Sequence, residues 1–220
     1  MDGLHTEKRM LLTLQRRATW FALAFIALCV LVVVGATQPV DYWAQTCAQN
    51  LASRPLDVTA AVITTLGGAE ITGVMTLILS FIWWRHKGIR GLVPLLLFIG
   101  VAIEIVLKYS LPHPGPPPDL ARGFDYLSLF YLTTPFSFPS GHALRITFLV
   151  VLVELRTLLL RVTGWVLVVA VAFTRLYLNI HWASDVVGGI LLGLTLATVA
   201  ATVDARYSSV RRSQEPRITQ

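Results

Sequence analysis

The chain has 220 residues, 55% of them hydrophobic and 14% charged, with a mean hydropathy of +0.68. That composition argues against a soluble enzyme or a disordered chain and fits a single membrane domain. The net charge of +6 is no footprint of nucleic acid, because the basic residues gather at the ends of apolar runs, where membrane orientation accounts for them.

In chain order, residues 1–15 read as a polar, mobile tail. A spanning helix needs roughly 20 mostly apolar residues, and the run 18–36 meets that need. It is too long and too poorly flanked for a cleaved signal peptide. Five further runs follow: 65–84 with Glu70 near its start, 91–107 carrying Glu104, 142–160, 162–177 and 183–203. The expected fold is an all-α polytopic membrane bundle of six transmembrane helices over residues 16–205, with a second polar tail at 206–220. Cys29 lies in an apolar run and Cys47 in a polar loop, so neither a disulfide nor a cysteine metal site is expected. The proline-rich LPHPGPPP at 111–118 excludes helix and opens the longest connection. Gly189 and Gly193 have G-x-x-x-G spacing, read here as close packing within one chain in preference to a dimer.

Thirteen of the 18 lysines and arginines fall on one side: Lys8, Arg9, Arg16, Arg17, Arg85, Lys87, Arg90, Arg156, Arg161, Arg206, Arg211, Arg212 and Arg217. Positive charge marks the cytoplasmic side, so both termini are expected there, in the cell membrane. The remaining five are Arg54, Lys108, Arg122, Arg145 and Arg175.

Of these, Lys108, Arg145 and Arg175 each sit near a helix end on the outer side. Taken singly, each can snorkel to headgroups. Beside them, FPSGHAL at 138–144 places a turn, the N-capping type Ser140, Gly141 and a titratable His142 at a helix start. Free N–H groups and the helix dipole suit a phosphate there, and an imidazole can protonate a leaving oxygen. In TRLYLNIHWASD, 174–185, His181 and Asp185 are i and i+4 and share a helix face. Asp185 can accept the Nδ1 hydrogen of His181, leaving Nε2 as a nucleophile, and Arg175 offers a planar fork to phosphate oxygens. The plainer alternative is a structural His–Asp pair capping the sixth span, with Trp182 as interfacial anchor.

Together these residues resemble the type 2 phosphatidic acid phosphatase family, integral-membrane lipid phosphate phosphatases whose signature is K-x6-R-P, P-S-G-H and S-R-x5-H-x3-D. The second part is complete as Pro139-Ser140-Gly141-His142. The third has Thr174 for the leading serine and is otherwise complete through Arg175, His181 and Asp185. The first begins at Lys108, but Gly115 stands at the arginine position, before Pro116. The resemblance implies attack by His181, proton donation by His142 and orientation of His181 by Asp185. It also implies that Lys108, Arg175 and the Ser140 and Gly141 amides hold the phosphate, with no metal or cofactor.

Arg145, three residues after His142, is the best local candidate to replace the missing arginine, with headgroup anchoring an equal alternative; Arg122 and His113 are weaker rivals. Glu104 is placed to pair with Lys108, Glu70 to line the site or reach the interface, and Glu154 to be structural. His5 and His86 fall on the cytoplasmic side, and Tyr126, Phe130 and Tyr131 read as interfacial packing or the border of a lipid chain. The expected function is hydrolysis of a lipid phosphate or diphosphate at the outer leaflet through a phosphohistidine, with a phosphorylated membrane lipid as partner. A non-catalytic lipid-phosphate binder and a phosphotransferase of the same fold are the alternatives. A transporter would place its charges nearer the membrane midplane.

Overall fold

The computed structural model describes residues 2–122, 133–153 and 157–214. Tyr126, Phe130, Tyr131, Glu154, Arg156 and Arg217 lie outside the described residues, as do the side chains of His5, Arg211 and Arg212. All long regular elements are α-helices: α1 (Asp2–Val33), α2 (Gln38–Gln49), α3 (Arg54–Thr65), α4 (Ala69–Lys87), α5 (Leu96–Ser110), α6 (Gly141–Leu152), α7 (Leu158–Tyr177) and α8 (Ala183–Gln214). A 3-10 segment, Gly88–Leu95, returns the chain from α4 to α5. Four helical stretches are long and apolar enough to cross a membrane: Thr6–Val33, Arg54–Ser110, Leu158–Tyr177 and Ala183–Ser209. α6 is a shorter apolar helix.

The all-α architecture is as expected, but three boundaries differ. Residues 2–15 and 206–214, read as polar tails, continue α1 and α8 as helix. No glycine or proline interrupts 4–34 or 194–214, so the helices run on past their apolar parts. The fourth run ends early, at Leu152, and α7 starts at Leu158, where the Thr157 hydroxyl accepts the Leu160 N–H at 3.2 Å. A helix N-cap therefore lies inside the stretch 142–160 that apolar content alone joins into one span.

α8 is the central element and packs along α1 and α6. Gly189 and Gly193 make the α6 contact possible: a Cβ at Gly189 would collide with the Ser140 carbonyl, and one at Gly193 with that of Leu144. The packing expected from the G-x-x-x-G spacing is thus within one chain. The core between the helices is Phe138, Leu144, Phe148, Leu192, Leu196, Ala197 and Ala200, joined by Leu97 of α5. α1 adds only a narrow stripe, Phe25 and Val32, one heptad apart. At the far end of the bundle, Arg90 grips Asp204 of α8 with two bonds of 2.7 and 2.8 Å.

α2 and α3 were not visible in the apolar pattern. Each has 12 residues, about 18 Å of helix against a bilayer core of about 30 Å, and, unlike the equally short α6, neither reads as part of an apolar run of spanning length. The buried face of α2 carries Asp41, Gln45 and Ala48, while Val40, Tyr42 and Trp43 are exposed. That is the inverse of ordinary amphipathicity, because the polar face is the one that meets the protein.

Candidate active site

The helix ends that carry chemistry converge at one end of the bundle: the last turns of α5 and α7, the first turns of α6 and α8, and the α3–α4 corner. The turn after α7 is closed by the Arg175 carbonyl, which accepts both the Ile180 and His181 N–H at 3.1 Å, with Asn179 at φ +57°. Asparagine tolerates that left-handed conformation better than most residues. The turn brings His181 back over the start of α8, where its Nδ1 lies 3.1 Å from Asp185 Oδ2. The same oxygen accepts the Trp182 N–H at 2.9 Å, and Asp185 is fully buried. An ionised carboxylate can only accept, so the neutral imidazole carries its hydrogen on Nδ1 and Nε2 presents a lone pair. His181 lies between the two helices. Burial first, then the charges of Lys108 and Arg175, push its pKa well below the ordinary histidine value, which keeps the imidazole neutral at pH 7.

The PSGH segment is tied to the same place. The Ser140 N–H donates to the Asp185 carbonyl at 2.9 Å, and its own carbonyl accepts from Leu144 at 3.1 Å. Ser140 occupies the N-cap position, but its hydroxyl makes no capping bond; it is buried and without a partner among the described residues. His142 Nδ1 lies 3.4 Å from Arg145 Nη2. Guanidinium cannot accept, so Nδ1 must be the acceptor and the neutral His142 carries its proton on Nε2.

Arg175 donates through Nη1 to Thr64 Oγ1 at 2.7 Å, while its Nε is buried with no partner among the described residues. Lys108 and Arg145 share Glu104: Lys108 Nζ is 3.0 Å from Oε1, and Arg145 Nη1 is 3.0 Å from Oε2. Arg145 Nε also donates to the Gly67 carbonyl at 3.2 Å. Both side chains therefore turn into the protein, away from a headgroup layer. The pairing of Glu104 with Lys108 follows from their i, i+4 spacing, whereas its second bond, to α6, is visible only in three dimensions. Gly141 leaves room for this carboxylate, since a Cβ there would overlap it.

The rivals for the missing arginine separate clearly. Arg122 is engaged elsewhere, donating to Gln49 at 2.9 Å and Asp57 at 3.3 Å over the Tyr177 ring. His113 is buried beside Ser184 and Asp185, at 3.2 and 3.5 Å from its Nε2. Trp182 is no exposed anchor: it is buried, donates from Nε1 to the Pro114 carbonyl at 2.8 Å, and stacks edge-on against Tyr42. Sequence reasoning missed Asp41 and Thr64, which have no local motif to mark them.

The family model of the PAP2 superfamily matches residues 91–208, more than half of the chain and every residue just described from Lys108 to Asp185. The chain belongs to the PAP2 superfamily. It is 27% identical over 148 residues to an undecaprenyl-diphosphatase of Sulfolobus acidocaldarius, an alignment covering 63% of this chain and 66% of that protein. The chain spans just under two thirds of the length of the curated relatives it matches. Among solved structures, it resembles the PAP2-type phosphatidylglycerolphosphate phosphatase of Bacillus subtilis with a TM-score of 0.68 and 21% identity, covering 92% of this chain and 99% of that one. It also resembles LpxE of Aquifex aeolicus, with a TM-score of 0.59 and 20% identity over 74% of this chain and 94% of that one. At these identities the structural likeness speaks for the superfamily fold.

Proposed function

We propose that the chain is a membrane phosphatase that hydrolyses a lipid phosphate or diphosphate through a phosphohistidine. The observation that carries this is the buried His181–Asp185 pair, set among Lys108, Arg145, Arg175 and the start of α6. His181 Nε2 attacks phosphorus, and the bond from phosphorus to the leaving oxygen breaks. Binding of the anionic phosphate loads His142 as imidazolium, and the leaving oxygen takes its Nε2 proton, which leaves the ring neutral. Water then attacks the phosphohistidine and gives its proton to the vacated Nε2 of His142, and the P–N bond breaks to release inorganic phosphate. The cations and the α6 amides stabilise the charge on the transferring group. The names of the relatives support two substrate chemistries, a polyprenyl diphosphate and a phosphatidylglycerol-type monoester. Phosphate release from a panel of both, in detergent with EDTA present, tests the proposal; a protein that binds these lipids and releases no phosphate would be a binder only.

Arg145 takes the place of the arginine absent at Gly115 in this reading, with Glu104 setting its position. Arg145→Ala is expected to lose about two decades of kcat/KM, the scale of removing one charged stabiliser. Arg145→Lys should recover part of it, because the fork is lost. A Cβ at Gly115 meets only Ser137 Cβ, at 3.6 Å, so a side chain can leave the backbone there, and Gly115→Arg should restore some activity to Arg145→Ala where its guanidinium reaches the site. Near-normal turnover in folded Arg145→Ala would assign it a structural role.

Six spans with both termini in the cytoplasm would put the site at the outer leaflet. The support is the distribution of the 18 basic residues, most of them at the opposite end from the site. In a cysteine-less background, Leu120→Cys is expected to react with an impermeant thiol reagent in intact cells, and Ile89→Cys only after permeabilisation; both positions are exposed. The reverse pattern would place the site in the cytoplasm.

A further inference from the structure

A second chain of buried polar groups meets Asp185 from the side opposite His181. Asp41 of α2 is 2% exposed, and its carboxylate accepts the Ser184 N–H at 2.8 Å and lies 2.9 Å from the Ser184 hydroxyl. Ser184 Oγ lies 3.2 Å from His113 Nε2, and that nitrogen is 3.5 Å from Asp185 Oδ1. Asp185 Oδ1 makes no hydrogen bond among the described residues; the His113 ring is its ion-pair contact at 3.5 Å, and the Ser137 side chain lies beside the same carboxylate. The hydrogens of this chain follow from valence. A carboxylate accepts, so the single Ser184 proton points at Asp41. Ser184 Oγ can then only accept from His113, so His113 Nε2 must bear a hydrogen, and this N–H edge of the ring is the one that lies 3.5 Å from Asp185 Oδ1.

We propose that Asp41, Ser184 and His113 form a positioning relay that sets an N–H donor against the second oxygen of Asp185 and so fixes the carboxylate that orients His181. The catalytic part of this rests on His181 being the nucleophile. Each member comes from a different segment. Asp41 lies on a short helix, and its bonds at the start of α8 are favoured by the helix dipole. His113 lies in the proline-rich connection, pinned by Ser137, whose N–H and hydroxyl donate to the His113 carbonyl at 3.0 and 3.1 Å. Without the relay, Asp185 keeps its bonds to His181 and Trp182 on one oxygen, but loses the His113 contact on the other and is held there by the Ser137 side chain alone. The connection ahead of Gly115 therefore contributes to orientation of the nucleophile through His113, although it has lost the side chain that would bind phosphate.

Two measurements test this. The 15N shifts of His113 in labelled, detergent-solubilised protein should show a protonated Nε2 in the wild type and a mixture of tautomers in Ser184→Ala, which keeps the backbone bond to Asp41 and removes only the hydroxyl. Turnover of a lipid phosphate should fall about tenfold or more in Asp41→Asn and in His113→Phe, through kcat with KM unchanged, the scale of slightly misplacing a reacting group. The double variant should be no slower than the worse single one, because both act through one contact. His113→Gln, which retains an N–H donor, should recover most of the His113→Phe loss. An unprotonated Nε2 in the wild type overturns the relay without touching the assignment of His181. Losses that multiply in the double variant, or full kcat in folded Ser184→Ala and His113→Phe, overturn it as well. An acid-labile phosphoenzyme absent from the wild type removes the nucleophile reading and leaves the tautomer result to stand alone.

Discussion

His181→Ala is expected to lose about four to six decades of kcat, as removal of a covalent nucleophile does elsewhere, and to form no acid-labile phosphoenzyme. The fold should survive the change. The imidazole bonds to Asp185, whose Oδ2 keeps the Trp182 N–H, and the turn before it is closed by backbone bonds from 180 and 181 to Arg175. Asp185→Asn is expected to leave a slow enzyme, lower by roughly two to four decades, because the amide can present an N–H to Nδ1 and favour the wrong tautomer. The acid limb of phosphoenzyme formation should lie below pH 6.5, since burial and the cations Lys108 and Arg175 depress the His181 pKa and the neutral imidazole is the reactive form. Lys108→Gln removes one of those charges and should move that limb upward. Rapid-quench trapping of labelled phosphate, with thermal melting as the folding control, measures all of these. A His181→Ala protein with wild-type turnover would end the assignment.

Arg175→Ala carries the next largest expectation, about two to three decades in kcat/KM, within the scale measured for losing one preorganised donor to a developing oxyanion. The guanidinium is held by Thr64 through Nη1 and keeps a buried Nε with no partner among the described residues. A buried donor left open in this way costs stability unless a ligand takes it, which is the reason to assign it to phosphate oxygens. Alanine keeps the backbone carbonyl that closes the turn at His181, so loss of activity should appear without loss of fold. Arg175→Lys should recover little, because an ammonium cannot reach Thr64 and a phosphate oxygen as a planar fork does. Thr64→Val should act in the same direction more weakly. Turnover within a few fold of wild type in Arg175→Ala would leave the guanidinium a structural tie between α7 and the α3–α4 corner.

Much of the site is legible because its chemistry is local in sequence. His181 and Asp185 are one helical turn apart, His142 and Arg145 three residues apart, and Glu104 and Lys108 four, so each pair is set by helix geometry alone. The apolar runs are legible for a similar reason, since lipid demands long stretches of one character. Where a boundary depended on one polar residue inside such a run, as at Thr157, apolar content overrode the cap and the expected span ran too far.

Which pairs meet which was decided by packing over long separations. Glu104 joins two cations because Gly141 leaves space for its carboxylate and Gly189 lets α8 draw the start of α6 inward. Asp41 reaches Ser184 from 143 positions away, on a helix whose polar face is buried, and no periodicity rule flags such a face. His113 stood in the proline-rich connection as an open reading; its proton follows only from knowing that Ser184 gives its own to Asp41. Helix spacing and apolar length thus specify the parts and the local pairs. Close packing at a few glycines, and the need of each buried polar group for a partner, join those parts into one site.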